Sequence, residues 1–114
     1  MERNVREIVV YGNSFYEFYE VLDESGKGRV DEVLYLVAHV LRVPVKFLKH
    51  IEGHKGLYEL RIRSGRNQYR VFCCFGRIRH LVLLNGFRKD SAGTPQREIE
   101  RAKRLMRQYI YENG

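Results

Sequence analysis

A change in the spacing of apolar residues near residue 57 limits the folds open to this chain. Beyond it, Tyr58, Leu60 and Ile62 alternate with charged residues, which is the pattern of a strand with one buried face. Two more apolar stretches follow, and short turns containing glycine separate the three stretches. In order, the strands and turns are residues 57–63, 64–67, 68–75, 76–77 and 78–85. Strands joined this closely predict an antiparallel meander.

The first 22 residues predict one strand and one short helix. Residues 5–11 are rich in β-branched side chains and end at a glycine and an asparagine, which is typical of a strand followed by a turn. Ser14 can cap a helix over residues 15–22.

A second, longer helix is predicted before the meander. Residues 25–28 include two glycines and are predicted to form a loop. From Arg29 onward, apolar residues recur at helical spacing, and Pro44 ends the helix near Arg42. This helix and the preceding one form a pair that can pack on the sheet.

The last element is an amphipathic helix. Thr94 is the predicted N-cap, and Pro95 occupies the first helical position, where its missing N–H costs nothing. One stripe of the helix is apolar, and Gly114 is a plausible end. The stripe consists of Ile99, Ala102, Leu105, Met106, Tyr109 and Ile110. The predicted fold is therefore α+β: an N-terminal strand and helix pair packed on a mostly antiparallel sheet, with a C-terminal helix.

Length and composition narrow the class of protein. With 114 residues, the chain has room for a single domain, residues 1–114. No stretch approaches the roughly 20 apolar residues that cross a bilayer, and the first residues lack the layout of a secretory signal. We expect a cytoplasmic protein that does not associate with membranes.

The two cysteines, Cys73 and Cys74, are adjacent and cannot form an unstrained disulfide with each other. They are expected to be small apolar residues of a buried strand. No Cys or His residues have the spacing of zinc ligands, so neither a metal nor another cofactor is expected.

The net charge of +7 is concentrated in the middle of the chain. Residues 1–45 carry five Lys or Arg against eight Asp or Glu. Residues 46–91 carry eleven against three, and residues 92–114 carry five against three. An excess of +8 within one segment indicates a surface that binds a polyanion.

The basic segment contains a candidate site. Glu59, Arg61 and Arg63 share the charged face of the first meander strand, and Arg70 lies in the next strand. Neighbouring strands can bring such residues together into a cradle for an anionic ligand. A solvated face with ordinary surface arginines is an equal alternative. Because Arg61 and Arg70 lie on one strand face, replacing them is expected to leave the core intact.

The cradle suits cleavage of RNA, because the ribose 2′-hydroxyl can be the nucleophile. The reaction needs a base for that proton and cations for the charge that grows on the phosphate. Arg61, Arg70 and Lys89 can supply the charge. Glu59, His54 or a lysine can be the base, although Glu59 between arginines can equally be an ion-pair partner. The RNA-binding candidates are His54, Lys55, Arg63, Tyr69, Phe87 and Arg88.

Four motifs occur in the order found in one family of toxins. They are the runs from Gly56 to Arg61, Tyr69 to Phe72 and Leu84 to Lys89, followed by Thr94-Pro95 with the helix from Glu98 to Ala102. This succession, spread over residues 46–110, resembles the phage Gp49-like, HigB-like branch of the RelE/ParE toxin superfamily. The predicted helix pair upstream agrees with that fold.

The resemblance implies a toxin of a type II toxin–antitoxin system that cuts ribosome-bound mRNA without a metal ion. It also implies a cognate antitoxin, often with a helix-turn-helix domain, that masks the active face. The family's basic positions fall on Arg61, Arg70 and the pair Arg88 and Lys89. Where some relatives have a C-terminal Tyr or His as acid or base, this chain has Phe87 and Lys89. Two alternatives are a ParE-like toxin that inhibits DNA gyrase and a non-catalytic module that binds RNA or the ribosome.

Overall fold

The predicted meander forms the centre of a five-stranded sheet. The computed structural model describes residues 4–90, 93 and 95–113. In chain order the elements are β1 (Glu7–Val10), α1 (Ser14–Glu20), α2 (Glu24–His39), β2 (Leu48–His50), β3 (Tyr58–Ser64), β4 (Asn67–Phe75), β5 (His80–Arg88) and α3 (Gln96–Asn113). The strand order across the sheet is β1-β5-β4-β3-β2. Only β1, which runs parallel to β5, departs from antiparallel pairing, so the predicted α+β fold is confirmed.

Three predicted boundaries in the N-terminal helices are wrong. The segment of residues 25–28 is the first turn of α2 and not a loop, because the Asp23 side chain accepts a hydrogen bond from the Gly26 amide at 2.7 Å and caps the helix. Ser14 belongs to α1, and Asn13 occupies the cap position without a side-chain hydrogen bond. Helix α2 ends at His39, three residues before the predicted end.

Arg6 closes the C-terminal end of α2. Its guanidinium donates hydrogen bonds to the carbonyls of Val37, Val40 and Leu41 at 3.0, 2.7 and 2.6 Å. The last carbonyls of a helix have no partner within the helix, so Arg6 satisfies them and ties the chain before β1 to the helix layer.

Helices cover both faces of the sheet. Helices α1 and α2 pack on one face, which we call the α1/α2 face, and α3 packs on the other, the α3 face. Leu60 and Ile62 enter the core of the α1/α2 face, as the alternating pattern predicts. Phe72 and Leu84 enter the core of the α3 face. Side chains of β3 that alternate with Leu60 and Ile62 therefore lie on the α3 face.

A β-bulge in β5 changes which face its last residues occupy. Val71 pairs with Gly86 and Cys73 with Leu83, so two steps along β4 correspond to three along β5. Beyond the bulge, Gly86 packs on the Phe18 ring of α1. Phe87 turns to the α3 face, where its ring meets Phe72 at 5.2 Å between centroids.

The β4–β5 turn is longer than predicted. Ile78 and Arg79 have positive φ angles of 37° and 64°, so β5 begins at His80 rather than at Ile78. Positive φ is unusual for a β-branched residue, which is why a pattern based on apolar residues extended the strand too far.

The stripe of α3 is mostly as predicted. Ile99, Ala102 and Tyr109 are buried, and Leu105 and Met106 pack against them. Ile110, by contrast, is 55% exposed. The predicted N-cap and end of this helix, Thr94 and Gly114, lie outside the described residues. No helix among the described residues is long and apolar enough to cross a membrane.

The cysteines are free and buried, as predicted for strand residues. Burial raises the pKa of the Cys74 thiol to about 11 and raises that of Cys73 well above its usual range. Both thiols are therefore protonated at neutral pH and are poor nucleophiles.

Candidate RNA-binding site

Strand register brings the predicted charged residues together on the α3 face. Arg61 of β3 pairs directly with Arg70 of β4. Glu59 lies beside both: its Oε1 is 3.5 Å from Arg70 Nε, and its Oε2 is 3.8 Å from Arg61 Nε. We call Glu59, Arg61 and Arg70 the cradle.

The cradle is more buried than a solvated strand face. Arg70 is 5% exposed and Glu59 is 9% exposed, whereas the Arg61 side chain keeps 35% of its surface. Of the two readings of this face, a routine solvated surface is wrong for Arg70 and Glu59. The premise that Arg70 is a surface residue is also wrong, so we now expect its replacement to destabilise the protein, because its removal leaves the buried Glu59 with less compensation.

Arg70 is held in place by neighbours on its own strand as well. Its Nη1 donates to the Tyr69 carbonyl at 3.2 Å and its Nη2 to Gln68 Oε1 at 3.3 Å. Burial lowers the pKa of Arg70, and Arg61 lowers it further, while the attraction of Glu59 opposes both. Arginine starts from so high a pKa that the guanidinium remains charged. The cradle thus holds a fixed net positive charge, two guanidinium groups against one carboxylate.

A pocket of about 610 Å³ opens beside the cradle, at the end of the sheet where β3 turns into β4. Five cationic side chains contribute to its wall: Arg29, Lys46, Arg61, Arg63 and Arg70. The remaining lining residues are Phe47, Ile62, Gly65 and Gln68. A pocket of this volume is within the usual range for small-molecule sites, and its charge favours an anion.

Six lining residues were missed from the sequence, and four of them have polar or aromatic side chains. Arg29 comes from α2, and its Nε donates to the Arg63 carbonyl at 2.9 Å, so a residue more than 30 positions away covers the edge of β3. Lys46 and Phe47 precede β2 and stand together, with the Lys46 Nζ 5.2 Å from the centre of the ring. Gln68 pairs with Arg63. Only the position of Lys46 at the start of the basic segment was a usable signal.

Phe87 and Lys89 lie near the cradle. Phe87 pairs with Arg70 on the α3 face. Lys89 follows β5, and its amide donates to the Gln68 carbonyl at 2.8 Å. Both lie at the end of the sheet that carries the pocket.

Tyr69 and Arg88 lie on the opposite face. The Tyr69 ring is 4% exposed and packs edge-on against Phe18, with 5.7 Å between centroids. A ring so buried offers no surface on which a base can stack, so we leave Tyr69 out of the site. Arg88 pairs with Tyr69, and its Nε donates to Asp90 Oδ1 at 2.9 Å.

His54 and Lys55 belong to the loop between β2 and β3. The loop packs near α3, since a Cβ on Gly56 would be 3.8 Å from the Met106 sulfur. Neither residue lines the pocket beside the cradle. Among residues 4–90, 93 and 95–113, no group of three or more His, Cys, Asp or Glu side chains is placed to hold a metal ion.

Comparison with known proteins identifies the family. The model of the phage-derived Gp49-like proteins matches residues 17–107, which is most of the chain. The chain belongs to this family. Gp49-like proteins are part of the RelE/HigB-like toxin group, as the order of motifs in the sequence indicated. No curated protein matches the chain. The matched region of this Gp49-like protein includes the cradle and the five cations of the pocket.

Proposed function

We propose that this Gp49-like protein is a toxin that cleaves ribosome-bound mRNA without a metal ion. The observation that supports this most is the pairing of Arg61 with Arg70 at the edge of a pocket lined by five cations. Phosphodiester cleavage gathers negative charge on one phosphate, and fixed cations in a site with little water stabilise it well. Inhibition of gyrase by binding requires no such cradle.

In the proposed reaction, the 2′-hydroxyl oxygen of the RNA attacks the adjacent phosphorus and the 5′-oxygen leaves, which produces a 2′,3′-cyclic phosphate. A base takes the proton of the 2′-hydroxyl, and an acid returns one to the 5′-oxygen. Arg61 and Arg70 contact the phosphate oxygens. Lys89, at the same end of the sheet, contacts the RNA backbone or protonates the leaving oxygen.

We assign Glu59 a positioning role. Its Oε1 is almost inaccessible to solvent and accepts no hydrogen bond from the described residues, so a substrate hydroxyl cannot reach that oxygen without movement of the site. Both carboxylate oxygens face guanidinium groups instead. Glu59 thus sets the spacing of Arg61 and Arg70.

Glu59→Gln tests this assignment. The amide preserves the shape but removes the countercharge of Arg70, so we expect the free energy of unfolding to fall by about 1–3 kcal/mol. The rate of RNA cleavage should fall less than about tenfold, measured below the melting temperature of the variant. A loss of about a hundredfold to ten-thousandfold in rate would instead identify Glu59 as the general base.

We also propose an antitoxin partner, as membership of the toxin family indicates, and we expect it to carry a helix-turn-helix domain. An acidic segment of the antitoxin would neutralise the cations of the pocket. Salt would weaken the association of the two proteins, because it screens the attraction between these charges. Co-expression with a neighbouring reading frame should relieve growth arrest.

Brief induction in a bacterial host, with mapping of mRNA ends and an assay of replication, tests the proposed function. We expect growth arrest and new ends within translated messages while replication continues. Arrested replication with intact mRNA would identify a gyrase inhibitor. Ribosome association without new ends would identify a non-catalytic binding module. Normal growth with folded, soluble protein would refute a toxin.

A further inference from the structure

The polar side chains that line the pocket among the described residues offer mainly hydrogen-bond donors. Arginine and lysine carry no acceptor atom, and they supply five of the lining side chains. Two nearby carbonyls are already used, because Phe47 O accepts from the Arg61 amide at 2.8 Å and Arg63 O accepts from Arg29. A ligand that fits this wall must bring acceptors.

Gln68 is the one uncharged amide in the lining, and its orientation follows from its neighbour. Arg70 Nη2 lies 3.3 Å from the Gln68 side-chain oxygen. Since a guanidinium only donates, the oxygen and not the nitrogen must face Arg70. The amide nitrogen of Gln68, which is another donor, is therefore left without a bond to Arg70 and can be offered to a ligand.

Phosphate oxygens suit such a wall, but a nucleotide also presents its base. Guanine has two neighbouring acceptors, N7 and O6, on one edge, whereas adenine has N7 beside an amino donor. Arginine and lysine pair with the guanine edge more often than with any other base edge in nucleic-acid complexes. Adenine and cytosine would set an amino group against the donors of the pocket.

We propose that the pocket selects guanine. One of its cationic side chains pairs with N7 and O6 of the base, Gln68 adds a donor that disfavours the amino group of adenine, and the other cations bind the neighbouring phosphate. The inference rests on the proposal that the pocket binds RNA. It specifies which base the nucleotide beside the cradle carries. The volume of about 610 Å³ accommodates a purine nucleotide.

Binding of nucleoside 3′-monophosphates to the purified chain tests this directly. These probes contain no phosphodiester bond, so they report binding independently of cleavage. We expect 3′-GMP to bind roughly 5- to 150-fold more tightly than 3′-AMP, the range for one bidentate contact to a base. The 7-deaza analogue of 3′-GMP, which lacks the N7 acceptor, should lose most of that advantage. Equal affinity for the four nucleotides, or preference for another base, would overturn the proposal.

Gln68→Glu isolates the role of the side chain. Glutamate has the same size and can still accept from Arg70, but it replaces the donor nitrogen with an acceptor oxygen. The added negative charge should weaken binding of all four nucleotides, so the readout is the ratio of 3′-GMP to 3′-AMP affinity. This ratio should fall about fivefold or more in Gln68→Glu and remain unchanged in Gln108→Glu, an exposed glutamine of α3. An unchanged ratio in Gln68→Glu would remove Gln68 from the recognition of the base.

Mapped mRNA ends separate this proposal from the proposed function. Cuts that show no enrichment of guanine would refute guanine selection while leaving the nuclease intact. Selective binding of 3′-GMP without any cleavage in cells would refute the nuclease while leaving guanine selection intact.

Discussion

Arg61→Ala should reduce mRNA cleavage by about a hundredfold or more, the usual effect of removing one donor that stabilises charge in the transition state. The folded state should change little, because the Arg61 side chain is 35% exposed and its charge is only one of two that face Glu59. Cleavage of an RNA substrate by purified protein and growth after induction measure the effect. Arg61→Lys should recover activity only in part, since an ammonium cannot make the two-pronged contact of a guanidinium.

Arg104→Ala is the matched control. Arg104 is exposed on α3, and among the described residues no ion pair involves it. The substitution Arg104→Ala removes the same charge as Arg61→Ala but should preserve both toxicity and stability. Full toxicity of Arg61→Ala, or an equal loss in Arg104→Ala, would show that the active site lies elsewhere.

Arg70 requires a gentler substitution than Arg61. Removing a buried member of an ion pair is strongly destabilising, so Arg70→Ala would lower activity and stability together. Arg70→Lys retains a positive charge near Glu59 and should lower the rate of cleavage with a smaller cost in stability.

Gly86→Ala should lower the free energy of unfolding by about 1–3 kcal/mol, or more if the helix must move. A Cβ at this position would lie 2.5, 2.7 and 2.9 Å from three ring atoms of Phe18. The Phe18 side chain is buried between α1 and the sheet and cannot retreat into solvent. Chemical denaturation of the purified variant gives the value.

Gly28→Ala supplies the comparison, because no atom lies within 4 Å of its added Cβ and Gly28 lies in α2. Alanine favours helix by up to about 1 kcal/mol over glycine, so this variant should be equally or more stable. In a Phe18→Leu background, Gly86→Ala should lower the free energy of unfolding by less than it does in the parent. If the two substitutions have additive effects on the free energy of unfolding, the close contact is refuted.

Local sequence patterns determined much of this protein. Alternation assigned Leu60 and Ile62 to the core and Glu59 and Arg61 to the opposite face, because successive side chains of a strand point in opposite directions. The order of motifs also identified the toxin family. The sequence did not predict the first turn of α2. Its two glycines disfavour a helix, but the cap from the Asp23 side chain outweighs that effect. The sequence also did not predict β2, because three residues are too few to show the alternation of a strand.

Tertiary structure alone decided which further residues join the cradle at the site. The bulge in β5 adds one residue, and with a period of two this moves Phe87 to the face of Arg70 and Arg88 to the other. The pairing of β1 with β5 and the arrival of Arg29 at Arg63 join distant parts of the chain. Such contacts depend on how elements pack, and no periodicity within one segment encodes them. For that reason the sequence could predict the cations of the cradle, whereas the pocket beside it became visible only in the fold.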